Sequence, residues 1–143
     1  MKIIVNFSGG KDSQACLIYA ANKYGSDNIE AVFCDTGWEH SDTYQHITDV
    51  CRQLNVKFVV LRSKKYTDFV DMSIKRSRFP SSQRRFCTYE LKIKPMIDYI
   101  LSLTEPCLII QGIRAKESKE RAQLPYECTY FGEYFGRVKK NRK

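Results

Sequence analysis

The stretch Val5-Asn6-Phe7-Ser8-Gly9-Gly10-Lys11-Asp12-Ser13-Gln14 gathers groups that suit an anion. Gly9 and Gly10 lack side chains, so the backbone there can approach a ligand closely or take up positive φ. Ser8 and Ser13 add hydroxyl donors, and Lys11 adds a positive charge. A helix beginning at Asp12 or Ser13 would aim its unpaired N–H groups and positive dipole end at the same place. The result is a cradle for phosphates. It is not the GxxxxGK[ST] loop, because the interval from glycine to lysine differs. The same residues also fit a tight turn in which Asp12 or Ser13 simply caps a helix.

Further along, Cys34-Asp35-Thr36-Gly37 offers a carboxylate before a glycine. Asp35 there could orient a ligand hydroxyl, hold Mg²⁺ beside phosphates, or cap its own turn. Arg85, Arg114 and Arg121 supply planar, permanently charged forks that match phosphate or sulfate oxygens. Lys92 is a more mobile point charge. Each arginine reads equally as half of a surface ion pair, and Glu117 fits the role of holding one of them. Cys87, between arginines and a helix start, sits where a thiolate is favoured. Its readings are a reactive thiol, an iron–sulfur ligand with Cys107 or Cys128, or a structural cysteine, and a cluster is not expected. His40, His46 and Cys51 lack the spacing of a zinc site.

These residues need elements to position them. Lys2–Phe7, Glu30–Asp35, Lys57–Leu61 and Cys107–Gln111 are short apolar runs suited to buried parallel strands. Between them, Asp12–Tyr24 carries Leu17, Ala20, Ala21 and Tyr24 at helical spacing, with Gly25 as its stop. A second helix is capped by Ser41 and buries Tyr44, Ile47, Cys51 and Leu54. Thr67–Lys75 reads as helix, Arg76–Arg85 as loop, and Pro95 as the first turn of another helix. Tyr126–Gly136 reads as hairpin or loop. Strands alternating with helices define an α/β fold with a mostly parallel sheet. Right-handed crossovers then put the strand ends on one rim, where ligands of open α/β sheets bind. The rim would carry Ser-Gly-Gly, Asp-Thr-Gly, Arg62-Ser63 and Gly-Ile-Arg.

Composition sets the surroundings. The chain has 143 residues, 43% hydrophobic and 28% charged, with a net charge of +8. It holds no apolar run long enough to cross a membrane and no signal-peptide core at its start. Six scattered cysteines with no CxxC pair indicate reduced thiols and a cytoplasmic setting. More than half of the net charge lies in Arg137, Lys139, Lys140, Arg142 and Lys143, read as a basic tail over 137–143. That tail makes nucleic acid a conceivable partner, against a solvated reading. From Ser73 to Tyr89 there is no acidic residue but five basic ones, which fits an anionic ligand as well as a solvated face.

Taken together, the motifs resemble a known family. Ser8-Gly9-Gly10-Lys11-Asp12-Ser13 is similar to the SGGxDS pyrophosphate loop of the adenine nucleotide α-hydrolase superfamily, which includes ATP pyrophosphatases. Asp35-Thr36-Gly37 resembles the DTG that the phosphoadenosine phosphosulfate (PAPS) reductase family carries after its second strand. Arg85-Phe86-Cys87-Thr88 with Lys92 and Pro95 resembles its RxCxxxxKxxP element. Gly112-Ile113-Arg114-Ala115-Lys116-Glu117-Ser118 with Arg121 resembles its GxRxxESxxR element. The resemblance spans residues 6 to 121 and implies a Rossmann-like three-layer sandwich forming one nucleotide-binding domain over residues 1–136. It implies ATP or PAPS as the bound nucleotide, with Phe33 lining the adenine. Glu127-Cys128-Thr129-Tyr130 begins like the ECGxH context of the reductases' catalytic cysteine but lacks the glycine and the histidine.

Three functions follow. One is an enzyme that reduces a sulfonucleotide or cleaves ATP at its α-phosphate, with Lys11, Arg85, Lys92 and Arg114 stabilising developing charge. Reduction would call on Cys128 and a thioredoxin-like reductant, whereas cleavage would call on Mg²⁺ and an acceptor. The second is a nucleotide-binding module without turnover. The third is a component of tRNA or DNA sulfur modification. A homo-oligomer is compatible with all three.

Overall fold

The most apolar runs of the chain become the middle of its sheet. In a computed structural model, which describes residues 1–127, β1 (Lys2–Asn6) and β2 (Ile29–Cys34) lie side by side. β3 (Lys57–Leu61) and β4 (Cys107–Gln111) form the two edges. The order is β3-β2-β1-β4 and every pairing is parallel. Every residue of β2 is buried, as expected of a central parallel strand covered on both faces.

The period of two along each strand sorts the core into layers. Ile3, Val5 and Phe7, with Ile29, Ala31 and Phe33, face one way. They pack against Leu17 and Ala20 of α1 (Lys11–Tyr24) and Ile47, Val50 and Cys51 of α2 (Ser41–Gln53). Ile4, Val32 and Cys34 face the other way, onto Met96 of α5 (Lys94–Ser102). Helices thus cover both faces, giving the three-layer α/β sandwich. A smaller cluster, Tyr66, Met72 and Leu91, joins α3 (Phe69–Lys75) to the segment that begins with α4 (Phe86–Thr88).

Glu30 interrupts the apolar β2 run and is buried on the α5 side. Lys57 (2.6 Å), Lys2 (3.1 Å) and the Tyr99 hydroxyl all donate to it. Burial raises its pKa, but the hydrogen bonds from Lys57, Tyr99 and Lys2 outweigh that and leave the carboxyl below its ordinary value.

One local expectation is corrected. α2 is capped by His40, whose Nδ1 accepts from the Asp42 N–H at 3.2 Å, so Ser41 is the first helical residue rather than the cap. Pro95 stands in the first turn of α5, as its type suggests. α4 leads through a π turn, Tyr89–Ile93, straight into that helix. The π turn widens the backbone just before Pro95, whose ring and missing N–H would disrupt a regular α-helix.

By internal contacts the chain divides into two units, Met1–Gly112 and Ile113–Lys143. In the second, a 3₁₀ turn over Ala115–Glu117 precedes α6 (Lys119–Ala122), capped by the Ser118 hydroxyl. The 137–143 tail lies outside the described residues, as does most of the 126–136 segment. Among the described residues no helix is long and apolar enough to cross a membrane.

Candidate functional site

The order β3-β2-β1-β4 places a switch point between β1 and β4, since the chain leaves β1 toward β2 but later returns to its other side. Crevices at such points, beyond the carboxyl ends of the strands, are where open α/β sheets hold ligands. The Ser8–Ser13 loop occupies this end of β1. Gly9 turns with φ +82°, and Gly10 stands before α1 with no side-chain cap on the helix start. Ser13 is buried and ties the loop together: its hydroxyl accepts from the Ser8 N–H (3.2 Å) and donates to the Gly10 carbonyl (2.9 Å). Ser8, Gly10 and Lys11 are left exposed at the mouth of the turn. Ser13 therefore shapes the cradle, and the first-turn backbone N–H groups, Ser8 and Lys11 are the groups presented outward.

Gly112, at the same end of β4, closes the other wall. A methyl group at this position would lie 2.8 Å from the Asp12 carbonyl carbon and the Ser13 nitrogen. Only glycine lets the end of β4 rest against the first turn of α1. Gly9 is nearly as crowded, with Ile47 of α2 at 3.0 Å from an added methyl.

At the end of β2, Asp35 is engaged on both oxygens. Oδ1 accepts from the Gly37 N–H (2.9 Å) and the Tyr44 hydroxyl (2.7 Å), and Oδ2 pairs with Arg62 (2.8 Å). Oδ1 is thereby filled, and the acceptor position left to a ligand hydroxyl or Mg²⁺ is on Oδ2, beside Arg62. Burial first, and then the hydrogen bond to Asp35, pushes the Tyr44 phenol up to about 12. Thr36 is buried and accepts from the Trp38 N–H at 3.3 Å. Gly37 has φ +68°, and a methyl there would meet Asp68 at 2.6 Å. Phe33 is 4% exposed, between Tyr44 and Phe58, and borders a cleft of about 340 Å³ that Asp35 and Arg62 also line.

Lys92 sits exposed on the π turn, whose carbonyl at that residue accepts from the Cys34 thiol at 3.5 Å. The turn is thereby held against the end of β2. Arg85 stands exposed at the start of α4. In the second unit, Glu117 pairs with Arg114 at 3.8 Å and more closely with Arg121. The carboxylate holds both guanidinium groups in one cluster.

Cys34 and Cys51 are buried, and burial pushes both thiols up to about 11. Cys16 and Cys107 are raised for the same first reason. Cys87 packs on the Tyr66–Met72–Leu91 cluster, while Cys107 packs on the Ile4–Met96 cluster. Cys128 lies outside the described residues. Among the described residues no group of three or more His, Cys, Asp or Glu side chains is arranged to hold a metal.

Tyr44, expected only as a buried helix residue, is the site residue that motif reading passes over. Arg62 was expected on the rim, but its pairing with Asp35 was not: β2 pairs with β3 so that Cys34 faces Leu61, and the next pair is Asp35 and Arg62. Finding it needs the strand order, which local patterns do not carry.

The fold and the loop at its switch point define an adenine nucleotide α-hydrolase-like α/β protein. The chain belongs to the phosphoadenosine phosphosulfate reductase domain family, which it matches over residues 2–131, and members of that family bind adenine nucleotides. It is 34% and 32% identical to two uncharacterized proteins of Methanocaldococcus jannaschii, MJ0066 and MJ0973. Those matches cover 84% and 87% of this chain but 24% and 29% of the relatives. An uncharacterized 37.8 kDa protein of Escherichia phage 186 is 30% identical, over 85% of this chain and 50% of its own length. The chain thus spans half or less of the curated relatives it matches. An NH3-dependent NAD synthetase from Campylobacter jejuni shares the fold with a TM-score of 0.59 at 19% identity. That likeness covers 90% of this chain and 52% of the synthetase chain.

Proposed function

We propose that the chain is an enzyme that binds the pyrophosphate of an adenine nucleotide at Ser8–Ser13 and cleaves ATP between its α- and β-phosphates. The observation that carries this reading is the uncapped start of α1, beneath a glycine turn and at the switch point of the sheet. In the reaction an acceptor nucleophile bonds to the α-phosphorus, the bond from that phosphorus to the bridging oxygen breaks, and pyrophosphate leaves. The first-turn N–H groups and Lys11 stabilise the negative charge that builds on the phosphoryl oxygens, with Arg85 and Lys92 as further cationic groups. Reduction of PAPS is the less favoured reaction of the same site. It needs a nucleophilic thiolate, and the candidate, Cys128, stands in Glu127-Cys128-Thr129-Tyr130 without the glycine and histidine of the reductase context.

The test is to incubate the protein with ATP–Mg²⁺ and an acceptor series, and separately with PAPS and reduced thioredoxin, measuring pyrophosphate and sulfite. Acceptor-dependent pyrophosphate release that falls roughly 100-fold in Lys11→Ala supports the proposal. Sulfite formation lost in Cys128→Ser replaces it with the reductase reading. Nucleotide binding with neither product reduces it to a binding module, and absence of binding to either nucleotide overturns it.

A further inference from the structure

The acid-free stretch after Met72 is not absorbed by the nucleotide loop, and the fold gives it a distinct surface. Lys65, Lys75, Arg76 and Arg78 line an open cleft of about 640 Å³ floored by Tyr66 and Phe86. Arg76 is fixed there: it donates to the Tyr66 hydroxyl at 3.2 Å, pairs with Glu90 at 2.7 Å and lies 5.0 Å over the Phe86 ring. Lys75 pairs with Asp71 at 3.0 Å. Lys65, whose ammonium lies 5.2 Å over the Tyr66 ring, and Arg78, with Arg84 on the following loop, have no ion pair among the described residues. These three cations are exposed.

Beside the cleft runs a row of aromatic rings. Trp38 lies tilted against Phe69 at 5.1 Å, and Phe69 meets Phe79 edge-on at 5.3 Å. The two outer rings stay open to solvent, Trp38 60% and Phe79 69% exposed. Arg78 lines the cleft and Phe79, the next residue, ends the row, so the charged and aromatic parts adjoin. Exposed apolar rings of this size ordinarily mark a binding surface rather than a solvated one.

From this juxtaposition of unpaired cations and open aromatic faces, we propose that the α3 side of the molecule binds single-stranded nucleic acid, the phosphates along the cleft and bases on Trp38 and Phe79. A polyanion satisfies Lys65, Arg78 and Arg84, but an acidic peptide leaves the rings without a partner. A duplex satisfies the charges too, yet hides its base faces in its own stack. Only an unpaired strand supplies both groups, and stacking of this kind tolerates any base. No residue of the Ser8–Ser13 loop lines this cleft, and the proposal does not depend on the nucleotide reading.

Trp38 is the chain's one tryptophan and reports directly on the surface. The full chain is titrated at low salt with ten-nucleotide oligo(dT), oligo(rU), a DNA duplex of equal length and poly-glutamate, with and without saturating ATP–Mg²⁺. Both single strands are expected to quench Trp38 fluorescence, more tightly than the duplex and irrespective of ATP, while poly-glutamate leaves it unquenched. Phe79→Ala should weaken binding about tenfold. Arg78→Ala should weaken it and reduce the slope of log K against log salt by about 0.7. Both positions are exposed loop residues, and unchanged circular dichroism confirms the variants are folded. The proposal is overturned if neither strand quenches Trp38, if the duplex or poly-glutamate binds as well as a single strand, if ATP displaces the strand, or if both variants bind like the parent protein. A strand bound only at the nucleotide loop would show itself by displacement with ATP.

Discussion

Substituting Gly112 with alanine tests whether the end of β4 must touch the start of α1. The added methyl would lie 2.8 Å from the Asp12 carbonyl carbon and from the Ser13 nitrogen, and 2.9 Å from the Asp12 oxygen. All three are backbone atoms, so no side chain can swing aside, and either β4 or the first helical turn has to move. Overpacking of this kind costs about 1–3 kcal/mol. Alanine returns roughly 0.4–1 kcal/mol by stiffening the unfolded chain, which leaves a net loss of about 1–2 kcal/mol. For a chain of this length that is a fall in Tm of about 3–6 °C, read by circular dichroism. Gly10→Ala is the matched control. Its methyl would meet only the Ser8 hydroxyl oxygen, at 3.6 Å, and Gly10 has φ −79°, which alanine adopts freely. Its Tm should stay within about 1–2 °C of the parent protein, a change below about 0.5 kcal/mol. ATP affinity should fall in both variants, in Gly112→Ala because the helix start is displaced and in Gly10→Ala because the methyl stands where the phosphate approaches. A Gly112→Ala protein as stable as the parent would refute the close-contact argument. Undiminished ATP binding by Gly10→Ala would refute the assignment of the loop to phosphate.

Three further outcomes follow from the buried polar groups. Glu30→Gln should cost about 1–3 kcal/mol at pH 7, because it weakens the bonds from Lys57, Lys2 and Tyr99. The Glu30 pKa is lowered in the fold, so its stabilisation is complete above its ordinary value near 4.5 and is lost as pH falls through the folded value; urea melts of Glu30→Gln and parent protein should therefore draw together as the pH is lowered below 4.5. Asp35→Ala should cost about 1–3 kcal/mol by urea melts, leaving the Tyr44 hydroxyl without its acceptor. Tyr44, now at about 12, should then titrate lower by ultraviolet absorbance, since burial remains but the Asp35 bond is gone. Cys34 and Cys51, both pushed up to about 11, should resist iodoacetamide at pH 8 in the folded protein and react on unfolding, as read by mass spectrometry.

The sequence displays the strands of this fold far better than their neighbours. Lys57–Leu61 and Cys107–Gln111 emerge with the bounds expected, because short apolar runs between helices have few other places to go. Helix starts are less legible. Ser41 is the better capping type, yet His40 caps α2, because the chain leaving Gly37 is already extended at that residue. Pro95 carries the signature of a first turn and stands in the first turn of α5, but nothing local announces the π turn ahead of it. The same limit governs the rim. Spacing marks Asp35 as a strand-end carboxylate before a glycine, a position equally fit for a ligand or for the protein itself. Which of these it serves is decided by the strand beside it. β3 lies next to β2 with Leu61 opposite Cys34, which delivers Arg62 to Asp35. The Ser8–Ser13 loop has a different neighbour: Gly112, just past β4, whose missing side chain lets backbone rest against the first turn of α1. Of two rim motifs alike in sequence character, the topology pairs one carboxylate with an arginine and leaves the other motif at a helix start with no side-chain cap. That difference, rather than the motifs themselves, is the ground on which we propose the phosphate site at β1.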